Sequence, residues 1–221
     1  MQFQFSQLRF PENAEVVIND VSWADFERFM DELGDRSSLR VHYNQRSIHL
    51  MAPSAGHEVP KIHIGRFVEY LLEQQQLDFE SLGSFTMRKQ SVQKAAEPDE
   101  CFYIEHAAAV RGKRQISLDS DPPPDLAVEI DIYSPTDRAL YAALGVPELW
   151  IYDGKQLVIW VLRAGEYHAA EFSPHFPGLA VREKIPALLN LAEREGRMVA
   201  MKAFRAWVDE NPPCLPFAKG G

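Results

Sequence analysis

Apolar and polar positions alternate strictly through PDLAVEIDI, residues 124–132. Leu126, Val128, Ile130 and Ile132 fall on one side, and Asp125, Ala127, Glu129 and Asp131 on the other, the period of a β-strand with one apolar face. Acidic residues are poor strand formers and repel when they share a face, so three carboxylates there need a counterpart. A second acidic strand spans 99–105, with Asp99, Cys101, Tyr103 and Glu105 on one face and Phe102 and Ile104 on the other. If the two strands are neighbours, Asp99 and Glu129 lie side by side.

Helical spacing dominates elsewhere. Trp23, Phe26, Phe29, Met30 and Leu33 predict a helix that Ser22 caps and Gly34 ends. Ile64, Phe67, Val68, Leu71 and Leu72 predict a longer helix, with Pro60 in its first turn and His57 and Glu58 at its start. Strands are expected at 39–43 and 47–51 around Asn44-Gln45, at 79–88, and in a meander at 148–152, 156–162 and 167–172 whose turns carry Asp153-Gly154 and Ala164-Gly165. Ser134, Pro135 and Gly145 predict the cap, first residue and stop of a short helix. One or two helices fill 185–208, before NPPCLP. The order predicts an α/β domain with a mixed sheet.

The chain has 221 residues, enough for one elaborated domain. A net charge of −9 argues against a protein that coats nucleic acid through many phosphate contacts. It leaves room for an enzyme that meets DNA through one basic patch, for which Arg111, Lys113 and Arg114 are candidates. No apolar run is long enough to span a bilayer, and MQFQFSQLRF lacks the pattern of a secretory leader. Cys101 and Cys214 make no disulfide framework, so the expected setting is the cytoplasm.

A carboxylate cluster is costly unless neutralised. A hard divalent cation does so, and Mg²⁺ suits a few carboxylates plus water and substrate phosphate. The alternative is a wet sheet face whose acids simply point into solvent.

From about 39 to 208 the sequence resembles the Uma2 family of nucleases, within the PD-(D/E)XK superfamily, and particularly its cyanobacterial-type members. MAPSAGHE resembles the family's lead into its first helix, EPDECFYIE its PD strand, PDLAVEIDIYSPT its acidic strand, and YAALGVPELWIYDG its most distinctive segment. FPGLAVREKIPALLN and FRAWV fit as well. The resemblance implies a restriction-endonuclease-like core within a single domain over 1–221: an N-terminal helix-and-hairpin extension over 1–50, the nuclease-like core over 51–175, and a helical tail over 176–221. It implies Mg²⁺- or Mn²⁺-dependent hydrolysis of DNA by a homodimer. Asp99 and Glu129 are the implied metal ligands, and Glu58, with Glu69 behind it, the acid of the first helix; Asp131, two residues from Glu129 on the same strand face, is spaced to flank the same ion as a further ligand. The superfamily's lysine would fall at position 131, where this chain has Asp131. The following helix offers Arg138, which stabilises negative charge but cannot act as a base. A silent nuclease fold serving as a binding module is the alternative.

Overall fold

The computed structural model describes residues 15–34, 39–52, 54–113 and 115–214. The N-terminal leader pattern, Arg114 and the end of NPPCLP lie outside the described residues.

A strand at Glu15–Ile18 (β1) precedes helix α1, Trp23–Leu33. Ser22 caps α1 by accepting from Asp25 N, and Gly34 ends it at positive φ. The hairpin β2, Arg40–Asn44, and β3, Ser47–Met51, turns through Gln45 and Arg46, both left-handed. The long helix α2 runs Ala55–Gln74 and buries Ile64, Phe67, Val68, Leu71 and Leu72. It starts earlier than its proline suggests. Ser54 stands at the N-cap, so Pro60 is an interior residue and not one of the first turn. Small residues permit this: a Cβ on Gly56 would lie 2.9 Å from the Tyr133 hydroxyl.

The expected strand at 79–88 is two strands in different sheets: β4, Glu80–Ser81, and β5, Met87–Lys89. Gly83, at φ +60°, breaks the run between them. A 3₁₀ turn at Gln90–Val92 leads to β6, Lys94–Ala96, which the residue pattern did not announce. Next come β7, Glu100–Tyr103, a short helix α3, Ala107–Val110, and β8, Leu126–Ile130. Helix α4, Arg138–Leu144, is capped by Asp137 rather than Ser134. Residues 134–136 cannot join it, because the Thr136 backbone and hydroxyl both donate to Asp131. Gly145 stops α4 at φ +88°. The meander β9, Glu148–Tyr152, β10, Leu157–Arg163, and β11, Glu166–Ala170, is followed by α5, Val181–Glu195, and α6, Arg197–Glu210.

The strands form two sheets. One has the order β1-β3-β2-β6-β5, the other β11-β10-β9-β8-β7-β4. Among the described residues only β8 and β9 pair in parallel, joined across α4. One face of the six-stranded sheet buries Phe102, Leu126, Val128, Ile130 and Trp150 against α2, α5 and α6. The other packs Ala127 and Leu149 with Leu140, Tyr141 and Leu144 of α4, and with Met87 and Ala96 of the five-stranded sheet. A third cluster seats α1 on the five-stranded sheet through Trp23, Phe26, Val41, Tyr43 and Leu50. The acidic face of β8 therefore looks at a second sheet and not at water. Asp99 is 0% exposed and Glu129 6%, which removes the reading of solvated acids.

Glu100 points the other way from Asp99, onto α2, where a Cβ on Gly65 would lie 3.3 Å from its Cδ. Burial pushes its pKa from 4.5 to about 7. A carboxyl raised on folding stabilises the protein fully below its unfolded pKa, and that contribution is lost as pH rises through the folded value. Stability from this residue should therefore fall between pH 4.5 and about 7. Because Glu100 is only partly buried, Glu100→Gln should gain about 1 kcal/mol at pH 8 and nothing at pH 4. Urea melts at the two pH values measure this; an equal effect at both would refute it.

Candidate functional site

Three acids on one strand face reach three different solutions. Asp125 accepts from Ile104 N at 2.7 Å and His106 N at 3.0 Å, and pairs with the His106 ring at 2.6 Å. It anchors the start of the loop containing α3 and does not line the cavity described next. Asp131 binds Thr136 through both oxygens, closing the loop between β8 and α4. Burial raises its pKa, and the Thr136 donors oppose the rise.

Glu129 and Asp99 share a site. Glu100 pairs with Val128 where the antiparallel β7–β8 ladder ends; just before it, Asp99 N donates to Val128 O and the Asp99 carboxylate accepts from Ile130 N, which brings Asp99 beside Glu129. Both side chains line a cavity of about 300 Å³ between the two sheets. Asp131, Thr136 and Asp137 also line it, as do Arg40, His42 and His49 from β2 and β3. The two carboxyls are close enough to act on each other electrostatically. Burial, then repulsion from Asp99, holds the Glu129 pKa well above the usual carboxylate range, while the Tyr141 hydroxyl bonded to it opposes the rise. Burial also raises Asp99, against the pull of Arg40, His57 and the Ile130 amide. That amide lies 2.7 Å from Asp99 Oδ2, and His57 Nε2 lies 3.4 Å from the same oxygen.

Arg40 supplies the positive charge. Its Nη1 stands 2.5 Å from Asp99 Oδ1 and donates to Pro98 O at 3.1 Å; its Nη2 donates to Glu58 Oε1 at 2.9 Å. Lys61 lies 3.4 Å from the other Glu58 oxygen. Glu58 thus meets the site through Arg40 and does not line the cavity. Glu69 does not line it either. Arg138 lies over the Trp160 ring at 3.8 Å, also outside the cavity lining.

The sequence does carry a signal for Arg40: Arg40, His42 and Asn44 alternate with Val41 and Tyr43 on β2, as the acids alternate on β8. Tyr141, on the helix after Glu129, has no such signal, because the contact depends on how α4 packs back onto the sheet. The loop cations are committed locally. Arg111 pairs with Asp78 at 2.6 Å and Glu80 at 2.7 Å, and Lys113 pairs with Asp121. They do not form a free basic patch.

No three acidic, histidine or cysteine side chains converge on one ion position among the described residues. A closed cage is therefore not built. The Asp99–Glu129 pair does fit an ion that keeps most of its waters and takes one or two carboxylates, the habit of Mg²⁺. Asp99 Oδ1 is buried with no well-aligned hydrogen bond, which leaves it able to serve.

The model of the Uma2 family, described as putative restriction endonuclease, matches residues 23–193. The chain belongs to the Uma2 family. A putative nuclease from Anabaena variabilis, known from its crystal structure, superposes with a TM-score of 0.51 at 10% identity, covering 76% of this chain and 99% of that one. That likeness concerns the fold, which is restriction-endonuclease-like. No curated protein matches. Among the described residues no helix is long and apolar enough to cross a membrane.

Proposed function

We propose that this Uma2 protein is a divalent-metal-dependent endonuclease that hydrolyses DNA phosphodiester bonds, with Asp99 and Glu129 as the residues that hold Mg²⁺ or Mn²⁺. The observation that supports this is the buried carboxylate pair, Asp99 just before β7 and Glu129 on the neighbouring β8, lining a cavity that Arg40, His42 and His49 also line. A bound divalent ion would supply Lewis-acid stabilisation of developing phosphate charge and a lowered pKa for an attacking water. The chain's own groups do the rest. Glu129 would hold the ion as its carboxylate, oriented by the Tyr141 hydroxyl. Arg40 and His57 stand beside Asp99, where a phosphate oxygen would be received. Asp131, held by Thr136, fixes the loop at the rim and completes the acidic wall.

The buried thiol of Cys101 and the unpaired Cys214 suit a reducing cytoplasm. A twofold homodimer would present two sites to two strands.

The test is nicking of supercoiled plasmid with Mg²⁺ or Mn²⁺ against an EDTA control. Metal-dependent nicking is expected; none under either ion would overturn the proposal. A second reading, a silent nuclease fold that binds a partner, is favoured by one observation: no lysine lines the cavity among the described residues, and Arg40 already pairs with Asp99. DNA retention without nicking would support it.

A further inference from the structure

We propose that Arg40 is the resident cation of the carboxylate site and sets how tightly that site takes a divalent ion. This rests on the reading that Asp99 and Glu129 hold the ion. The guanidinium is buried at the start of β2, 5% exposed, and is positioned by more than Asp99. Pro98 O fixes Nη1, and Glu58, itself held by Lys61, fixes Nη2. Arg40 Nε has no hydrogen-bond partner. Removing the charge of Asp99 would thus leave two anchors in place, so the guanidinium stays beside the pair when an ion arrives.

Arginine remains protonated under all relevant conditions, so its charge cannot be shed to make room. Two cations a few ångströms apart in a site with an effective dielectric near 20 repel enough to shift affinity by about tenfold or more. The ion should therefore bind weakly to the protein alone. A phosphodiester entering the cavity adds negative charge beside Arg40, and ion and DNA should then bind cooperatively. In this arrangement Arg40 is a positioning and tuning residue. It keeps the carboxylates paired in the absence of substrate and makes metal loading depend on the phosphate.

Calorimetric Mn²⁺ titration of the wild type, Arg40→Gln and Arg40→Lys tests this. Arg40→Gln should bind Mn²⁺ about tenfold or more tightly, and Arg40→Lys, which keeps the charge, should stay near the wild type. A merely structural role predicts weaker or unchanged binding in both. A folded Arg40→Gln protein with unchanged or weaker Mn²⁺ affinity overturns the proposal while leaving the metal reading intact. If Arg40→Gln does not fold, the arginine side-chain ¹H–¹⁵N signals of the wild type decide. The Arg40 signal, assigned by its loss in Arg40→Lys, should move on Mg²⁺ addition with the calorimetric Kd. A static signal while Mg²⁺ binds overturns the proposal. Absence of Mn²⁺ uptake by the wild type and every folded variant overturns the metal reading, and this proposal with it.

Discussion

Glu129→Gln should fold as stably as the wild type and lose metal-dependent nicking by about a thousandfold, the several kcal/mol that a correctly held ion contributes to the transition state. The two halves of this result come from one fact. Burial and the neighbouring Asp99 push the Glu129 pKa well above the usual carboxylate range, so folding disfavours the charged form that only metal binding needs. Glutamine has the same size and is neutral, and its amide can still meet Tyr141 and Asp99. Only the ability to become an anion is lost. Asp99→Asn should be equally inactive, but it should also lose stability, because Arg40 then faces Glu58 alone across a buried site. Truncating one partner of a buried pair is costly for the partner left behind. Nicking rates and urea melts of both variants separate these effects. Glu129→Gln nicking at the wild-type rate would remove Glu129 from the reaction.

The second large effect lies on the far side of the sheet. Glu148 is fully buried on β9 and takes two partners, Trp150 Nε1 at 2.5 Å and His175 Nδ1 at 2.5 Å. Gln75, the C-cap of α2, donates to the His175 carbonyl at 2.9 Å, tying the segment before α5 to the end of the long helix. Glu148→Ala should cost about 3–5 kcal/mol, because it strands an indole N–H and an imidazolium in the core. Burial works against the charge of His175, but the Glu148 hydrogen bond and charge outweigh it and raise its pKa above 6.5. The raised value makes this contribution complete below pH 6.5 and lost as pH rises through the folded value. The penalty of Glu148→Ala should therefore shrink in alkaline buffer. A loss under 1 kcal/mol at pH 6 would refute the account of this pair.

Local pattern carried much of this fold. The cap at Ser22, the apolar stripe of α1, the β2–β3 hairpin, the stripe of α2 and the meander all follow from spacings of a few residues. Where the pattern misled, a longer-range contact decided. Ser134 and Pro135 make a good helix start, but Asp131 captures Thr136 and moves the cap to Asp137. The run at 79–88 reads as one strand, but Gly83 turns it so that its ends pair with different sheets. The acidic strand itself was plain in the sequence, and so was its kinship with EPDECFYIE.

What surrounds the acids was not legible. Burial of Asp99 and Glu129 depends on the five-stranded sheet closing over them, and strands distant in the chain build that sheet. Arg40 enters from the N-terminal hairpin, fifty-nine positions before its partner Asp99. Pairings at such separation leave no periodic trace. The sequence therefore points to a metal as the neutralising cation, whereas the fold also supplies Arg40 from its own chain.

The central claim is that Asp99 and Glu129 together hold a divalent ion. A crystal soaked in Mn²⁺ tests it most directly through anomalous scattering. One peak is expected in the cavity, within about 2.0–2.2 Å of an oxygen from each carboxylate, a separation set by octahedral ions of this size. A peak bound elsewhere, or an empty cavity with Arg40 still seated on Asp99 at saturating Mn²⁺, would contradict the account.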